Sequence, residues 1–142
     1  MALQKAPWIN YGWLEGFIQQ EIAHPTFGWY AAFLQHVVVP NFRLFGLQTF
    51  VIEFSLGVAL LFGILTRLAG GGGFLWQVNV ALGAFNVPGE WAWIWPLLSL
   101  PLFCFAFTGA GRILGFDRLL EPALRRRAAA GRAWARALQY AV

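Results

Sequence analysis

Residues 44–65, LFGLQTFVIEFSLGVALLFGIL, form an apolar block interrupted by a single charged side chain, Glu53. As a helix this block reaches about 30 Å, the thickness of bilayer hydrocarbon. A helix apolar on every side has no face for water, so it needs either a large protein core or lipid around it. Composition decides between them. The chain has 142 residues, 59% hydrophobic and 11% charged, where soluble domains carry about 25% charged residues. It lacks the polar surface to enclose such a core. Two further apolar stretches come after it. Residues 68–86 open on four glycines, Gly70 to Gly73, and residues 91–109 contain Pro96 and Pro101, which predict a kink. Short connections make neighbouring spans antiparallel. The sequence therefore predicts an all-α integral membrane protein with about three transmembrane helices (44–66, 68–86 and 91–109) forming an antiparallel bundle over residues 44–110.

The flanking segments differ in character. Residues 1–43 mix Trp8, Trp13, Trp29 and Tyr30 with Lys5, Glu15, Glu21, His24 and Pro25. Half-polar, aromatic-rich sequence of this kind lies in the membrane interface, and one or two short helices are expected there. No cleavable signal peptide is expected, because residues 1–20 contain no apolar core of the usual length. Residues 111–142 are strongly basic. Over 117–140, with Asp117 as a candidate N-cap, helical spacing gathers Leu120, Leu124, Gly131, Ala135 and Leu138 on one side. Arg118, Arg125, Arg132 and Arg136 fall on another. One cytoplasmic amphipathic helix is expected, with Arg118, Arg125, Arg126, Arg127, Arg132 and Arg136 contacting anionic lipids.

Charge placement sets the orientation. Of the ten Lys and Arg, only Lys5 and Arg43 precede Arg67. Three spans place Arg67, Arg112 and the basic tail on the same side. The positive-inside rule then puts the C-terminus in the cytoplasm and the N-terminus outside. Segregated in this way, the net charge of +4 indicates membrane contact, and nucleic acid is not an expected partner.

Glu53 stands out among candidate functional residues. A carboxylate in mid-span costs about 2.5–3.5 kcal/mol, so it must face protein. Helical spacing puts Gly46, Thr49 and Gly57 on its face, a stripe suited to close helix packing. Glu53 reads either as a proton acceptor or quinone hydrogen-bond partner, or as a carboxyl locking helices together through Gln77 or Asn79. Those two residues fall on different faces of the second span, Gln77 with Gly70 and Gly73, Asn79 with Gly72, Gly83 and Asn86; both suit interhelical hydrogen bonds. His36 is a candidate quinone-edge or proton-entry group, or simply an interfacial histidine. His24 and His36 lack the clustered partners of a metal site, and none is expected. The lone Cys104 rules out an internal dithiol. No nucleotide loop, haem-attachment motif or catalytic triad is present.

From Pro25 onward the chain resembles the DoxX/DoxD membrane family, which includes the small subunit of thiosulfate:quinone oxidoreductase. The resemblance is carried by HPTFGWYAAFLQHVVVPN (24–41), EFSLGVALLFGILTRLA (53–69), QVNVALG (77–83) and TGAGRILGFDRLL (108–120). The last block looks like the family's closing Gly-Arg…Asp signature, here Gly111, Arg112 and Asp117. Arg112 and Asp117 read either as functional residues or as a local cap-and-pair at a helix end. Family members typically begin with another membrane helix, and PWINYGWLEGF (7–17) looks like the segment immediately after that helix. Against that pattern, either the first helix is lost or another subunit fills its place, and the incomplete bundle is expected to expose a groove that includes the small-residue face around Glu53. The resemblance implies a quinone-interacting subunit of a thiosulfate:quinone oxidoreductase in a bacterial inner membrane, with Glu53, Arg112 and Asp117 matching the family pattern. The missing first helix, the single cysteine and the glycine-rich faces favour instead a non-catalytic accessory subunit of a larger respiratory or photosynthetic electron-transfer complex. No covalently bound cofactor is expected; a quinone, structural lipids or pigments at partner interfaces are.

Overall fold

A computed structural model describes residues 12–142; Lys5, Trp8 and the first part of the 7–17 block lie outside the described residues. The described residues contain helices and turns and no strand, so the chain is all-α. The helices are α1 (Gly12–Ala23), α2 (Gly28–Phe33), α3 (Phe42–Phe62), α4 (Thr66–Ala84), α5 (Ile94–Thr108), α6 (Gly111–Leu114), α7 (Asp117–Ala129) and α8 (Ala133–Leu138). Helix α2 runs directly into a π-helical turn, Leu34–Val38. The fold separates into two compact units. One comprises the residues up to Phe54 together with Trp76–Leu97; the other comprises Ser55–Leu75 with Leu98–Val142.

Helix α3 matches the first expected span. Its 21 residues reach roughly 30 Å, it is apolar enough to cross a membrane, and only 6% of its most hydrophobic stretch is buried. It is the only helix among the described residues to meet both criteria of length and hydropathy. Helix α4 has 19 residues but is diluted by its glycines, Gln77 and Asn79. Helix α5 is apolar but has 15 residues, about 22 Å. Trp91 to Trp93, expected to be helical, form a turn before it. Pro96 falls in the first turn of α5, where a missing N–H leaves no bond unmade, and the helix continues through Pro101.

In the first unit, Tyr30, Leu34 and Val38 line up at intervals of four residues and form the core. Ile18 and Ile22 of α1, Phe45 of α3 and Leu82 of α4 pack against it. In the second unit α4 and α5 run antiparallel and nearly touch. A Cβ on Gly70 would lie 2.6 Å from the Ala106 nitrogen and 2.8 Å from the Leu102 carbonyl oxygen, while Gly73 faces the Leu102 side chain. Phe74 meets Phe103 edge-on, with centroids 5.4 Å apart. The Gly70 and Gly73 face thus serves close helix packing.

The basic tail departs from expectation. It is not one amphipathic helix over 117–140, because α7 stops at Ala129. Gly131 takes φ +84°, and its N–H donates to the Ala128 carbonyl while that of Arg132 reaches back to Arg127. This is a Schellman ending, which glycine supplies without strain. The chain reverses, and Leu124, Ala135 and Val142 close on one another with Leu65, Ala128 and Leu138 around them. Arg127 lies over the Trp134 ring, 5.5 Å from its centroid. The expected apolar stripe is therefore split: Leu124 and Ala135 are buried, while Leu120 and Gly131 are exposed.

Candidate functional site

The polar groups in the interior define two places where chemistry could be held. Glu21, Thr66 and Asp117 are the buried polar or charged residues among those described.

Asp117, Thr66 and three glycines make a joint in the second unit. Helix α3 ends at Gly63 (φ +63°) in another Schellman arrangement, Ile64 N–H donating to Ala59 and Gly63 N–H to Leu60. Leu65 then takes φ +49°, a conformation that leucine rarely adopts. A helix start leaves its first N–H groups without intrahelical partners, and here each has one. The Asp117 carboxylate accepts from the Leu65 N–H at 2.6 Å, the Thr66 N–H at 2.8 Å and the Thr66 hydroxyl at 2.7 Å. The Ala141 carbonyl accepts from the N–H groups of Arg67 and Leu68 at 3.2 and 3.3 Å. In return the N–H groups of Phe116 and Asp117 donate to the carbonyls of Phe62 and Gly63. Gly63, Gly111 and Gly115 permit this approach; a Cβ on Gly115 would lie 2.6 Å from the Gly63 Cα. Asp117 therefore caps α4, not its own helix, whose start has no side-chain cap.

The expected Arg112–Asp117 pair is not made. Arg112 donates through Nε and Nη2 to the main-chain oxygen of Val142, at 3.1 and 2.7 Å, and its Nη1 lies 3.6 Å from Glu121. Gly111, Arg112 and Asp117 are thus one structural joint in which each residue has a different partner.

The second place is in the first unit. Glu21 is 7% exposed, and its carboxylate lies against Gly83, where a Cβ would come within 2.7 Å of Oε2 and 2.9 Å of the Tyr30 ring. The Tyr30 hydroxyl donates to the Asn79 main-chain oxygen at 3.1 Å and approaches the Asn79 side-chain oxygen at 3.4 Å. Burial, then the neighbouring Glu21 charge, push the Tyr30 phenol up from 10.0 to about 12, against a smaller lowering by Asn79. The phenol stays neutral and works as a hydrogen-bond donor. Its contribution to stability is fully present below pH 10 and is lost as pH rises toward about 12, because the unfolded phenol ionises first. Alkaline unfolding should steepen in that window, and Tyr30→Phe should remove the effect while costing about 0.5–1.5 kcal/mol at neutral pH. An unchanged alkaline limb in the variant would discard this account.

Asn79 thus joins α4 to α2 through Tyr30, and Asn86 likewise donates to the Pro25 carbonyl at 3.3 Å. Glu53 and Gln77 are half-buried, Gly46 is buried, and Gly57 meets nothing within 4 Å. Of the face around Glu53, Gly46 is thus covered within the chain and Gly57 is open. His36 lies exposed on the π-helical turn. Arg118, Arg125, Arg126, Arg127, Arg132 and Arg136 are all exposed. Among the described residues no group of three or more His, Cys, Asp or Glu could hold a metal ion. Glu21 does not stand out in the sequence, although its spacing from Ile18 and Ile22 places it on the buried side of α1. Searched against protein-family models, curated proteins and solved structures, the chain matches none.

Proposed function

We propose that this chain crosses a bacterial inner membrane with α3, α4 and α5, N-terminus outside and C-terminus in the cytoplasm, and serves as a DoxX/DoxD-like accessory subunit of a larger electron-transfer complex. The observation that carries this reading is the bareness of α3. A helix this apolar would be covered if it formed a soluble core, yet 6% of its most hydrophobic stretch is buried. Leu44, Val51, Phe54 and Leu61 on α3 are exposed, as are Leu75 on α4 and Leu100, Phe103 and Phe107 on α5. Lipid or partner helices satisfy such faces, and the short α5 is accommodated by local thinning with Trp91 and Trp93 at the interface.

Charge supports the orientation. Arg67, Arg112 and the six arginines of the tail fall at the same ends of the three proposed spans and outnumber Lys5 and Arg43 at the other. The deeply buried carboxylate of Asp117 supports a non-catalytic role, because three donors of the fold occupy it. Purification in mild detergent is the test. The chain should co-purify with other membrane subunits, and Glu53→Gln should reduce the yield of assembled complex while turnover per complex is preserved. A lone homo-oligomer reducing quinone with thiosulfate would overturn the proposal, as would a Glu53→Gln complex that assembles normally and no longer reduces quinone.

A further inference from the structure

In the second unit, Arg67, Arg112, Arg125, Gln139 and Tyr140 line an open cavity of about 360 Å³. From its side chains we infer that the cavity binds a phosphate group, either that of an anionic lipid headgroup or a soluble phosphate. Three guanidinium groups meet there with one side-chain carboxylate, and Arg112 is already committed, Nε and Nη2 to the Val142 main-chain oxygen and Nη1 facing Glu121. Glu121 holds Arg125 at 2.6 Å and Arg112 at 3.6 Å through the same oxygen, Oε1. The cluster therefore keeps an excess of positive charge, and guanidinium forks match phosphate oxygens in geometry.

The remaining donors point the same way. Arg67 gives Nη2 to the Phe107 carbonyl at 3.3 Å, but its Nε is buried and has no hydrogen-bond partner among the described residues. That Nε is closed off from the open cavity, but Arg67 and Arg125 each have only Nη2 engaged, which leaves Nη1 of both for an oxyanion. The site is not simply a helix end. The N–H groups that start α4 are already bonded to Asp117 and Ala141, so side chains are the available donors. The volume lies near the small end of ligand cavities, about 300–1,000 Å³, which suits a headgroup better than a dinucleotide. This inference stands on the guanidinium geometry alone and does not depend on the membrane reading, since soluble phosphate would occupy the same donors.

The test uses the full chain in neutral detergent, titrated separately with a short-chain phosphatidylglycerol and with inorganic phosphate. At least one should bind saturably. Arg67→Gln/Arg125→Gln should weaken binding about tenfold, the loss expected for hydrogen bonds to a charged group. Arg132→Gln/Arg136→Gln, which removes equal charge from outside the cavity, should change it less than about twofold. Binding of the lipid alone identifies a headgroup site, and binding of inorganic phosphate identifies a soluble one. Because Arg67 also bonds α5 through Phe107, Arg67→Lys provides a milder variant that keeps the charge but loses the planar guanidinium fork, and it should weaken binding with helicity unchanged. Failure of both titrants to saturate, or equal weakening by the two double variants, would overturn the inference.

Discussion

Replacing Asp117 with alanine is expected to lower stability by about 3–5 kcal/mol, a large share of the roughly 5–15 kcal/mol that keeps a typical domain folded. The carboxylate is fully buried and accepts three hydrogen bonds of 2.6–2.8 Å from Leu65 and Thr66. Hydrogen bonds to a charged group contribute about 1.5–3 kcal/mol each, and removing the acceptor leaves donors desolvated. Relief from burying the charge offsets part of the loss. The negative charge also sits at the positive end of the α4 dipole, which adds to its value there. Asp117→Asn should cost less, about 1–3 kcal/mol, since an amide keeps one acceptor but turns N–H groups toward a donor. Thermal unfolding in detergent, followed by circular dichroism, gives the ranking. An alanine variant within about 1 kcal/mol of the parent would show that the joint is not held by this carboxylate.

The residue type at this joint was legible in the sequence, and its partner was not. Asp117 before an apolar run reads as a cap for the helix it begins, because capping is local in most helices. Here the receiving helix starts 51 residues earlier at Thr66. Nothing in the spacing of 108–120 distinguishes a cap given to its own helix from one given to another. The same limit applies to Arg112, whose partner Val142 lies 30 residues away.

Helix existence was easier to read than helix extent. The bounds of α3 and α4 lie close to 44–66 and 68–86, since apolar runs ending at Gly63 and near Pro88 have few alternatives. The tail departs at Gly131. A face drawn across 117–140 assumes an unbroken period, but glycine in the left-handed region ends α7 and turns its apolar residues onto each other. The basic cavity was invisible for a related reason: Arg67, Arg112 and Arg125 come from three helices, and only the reversal at Gly131 brings Gln139 and Tyr140 beside them.

A glycine-to-alanine series should divide by sign, with Gly111→Ala the most damaging member. Its added Cβ would overlap the Thr66 hydroxyl outright and lie 2.6 Å from Asp117 Oδ2 and 2.7 Å from the Gly63 carbonyl oxygen. All three belong to the hydrogen-bonded joint, so none can retreat without breaking a bond. Overpacking alone costs about 1–3 kcal/mol, and a lost bond to the carboxylate adds about as much. A loss of about 3 kcal/mol or more is expected. Gly70→Ala should come next, because its Cβ would press on α5 backbone at 2.6–2.8 Å, and backbone cannot rotate away as a side-chain end can. Gly57→Ala should do the reverse. It lies inside α3 with nothing within 4 Å, so alanine gains about 0.5–1 kcal/mol of helix propensity without a clash. Unfolding in graded sodium dodecyl sulfate would place all three variants on one scale. If Gly111→Ala were as stable as Gly57→Ala, the close approach of Gly63, Gly111 and Gly115 would be wrong, and the capping of α4 by Asp117 would fall with it.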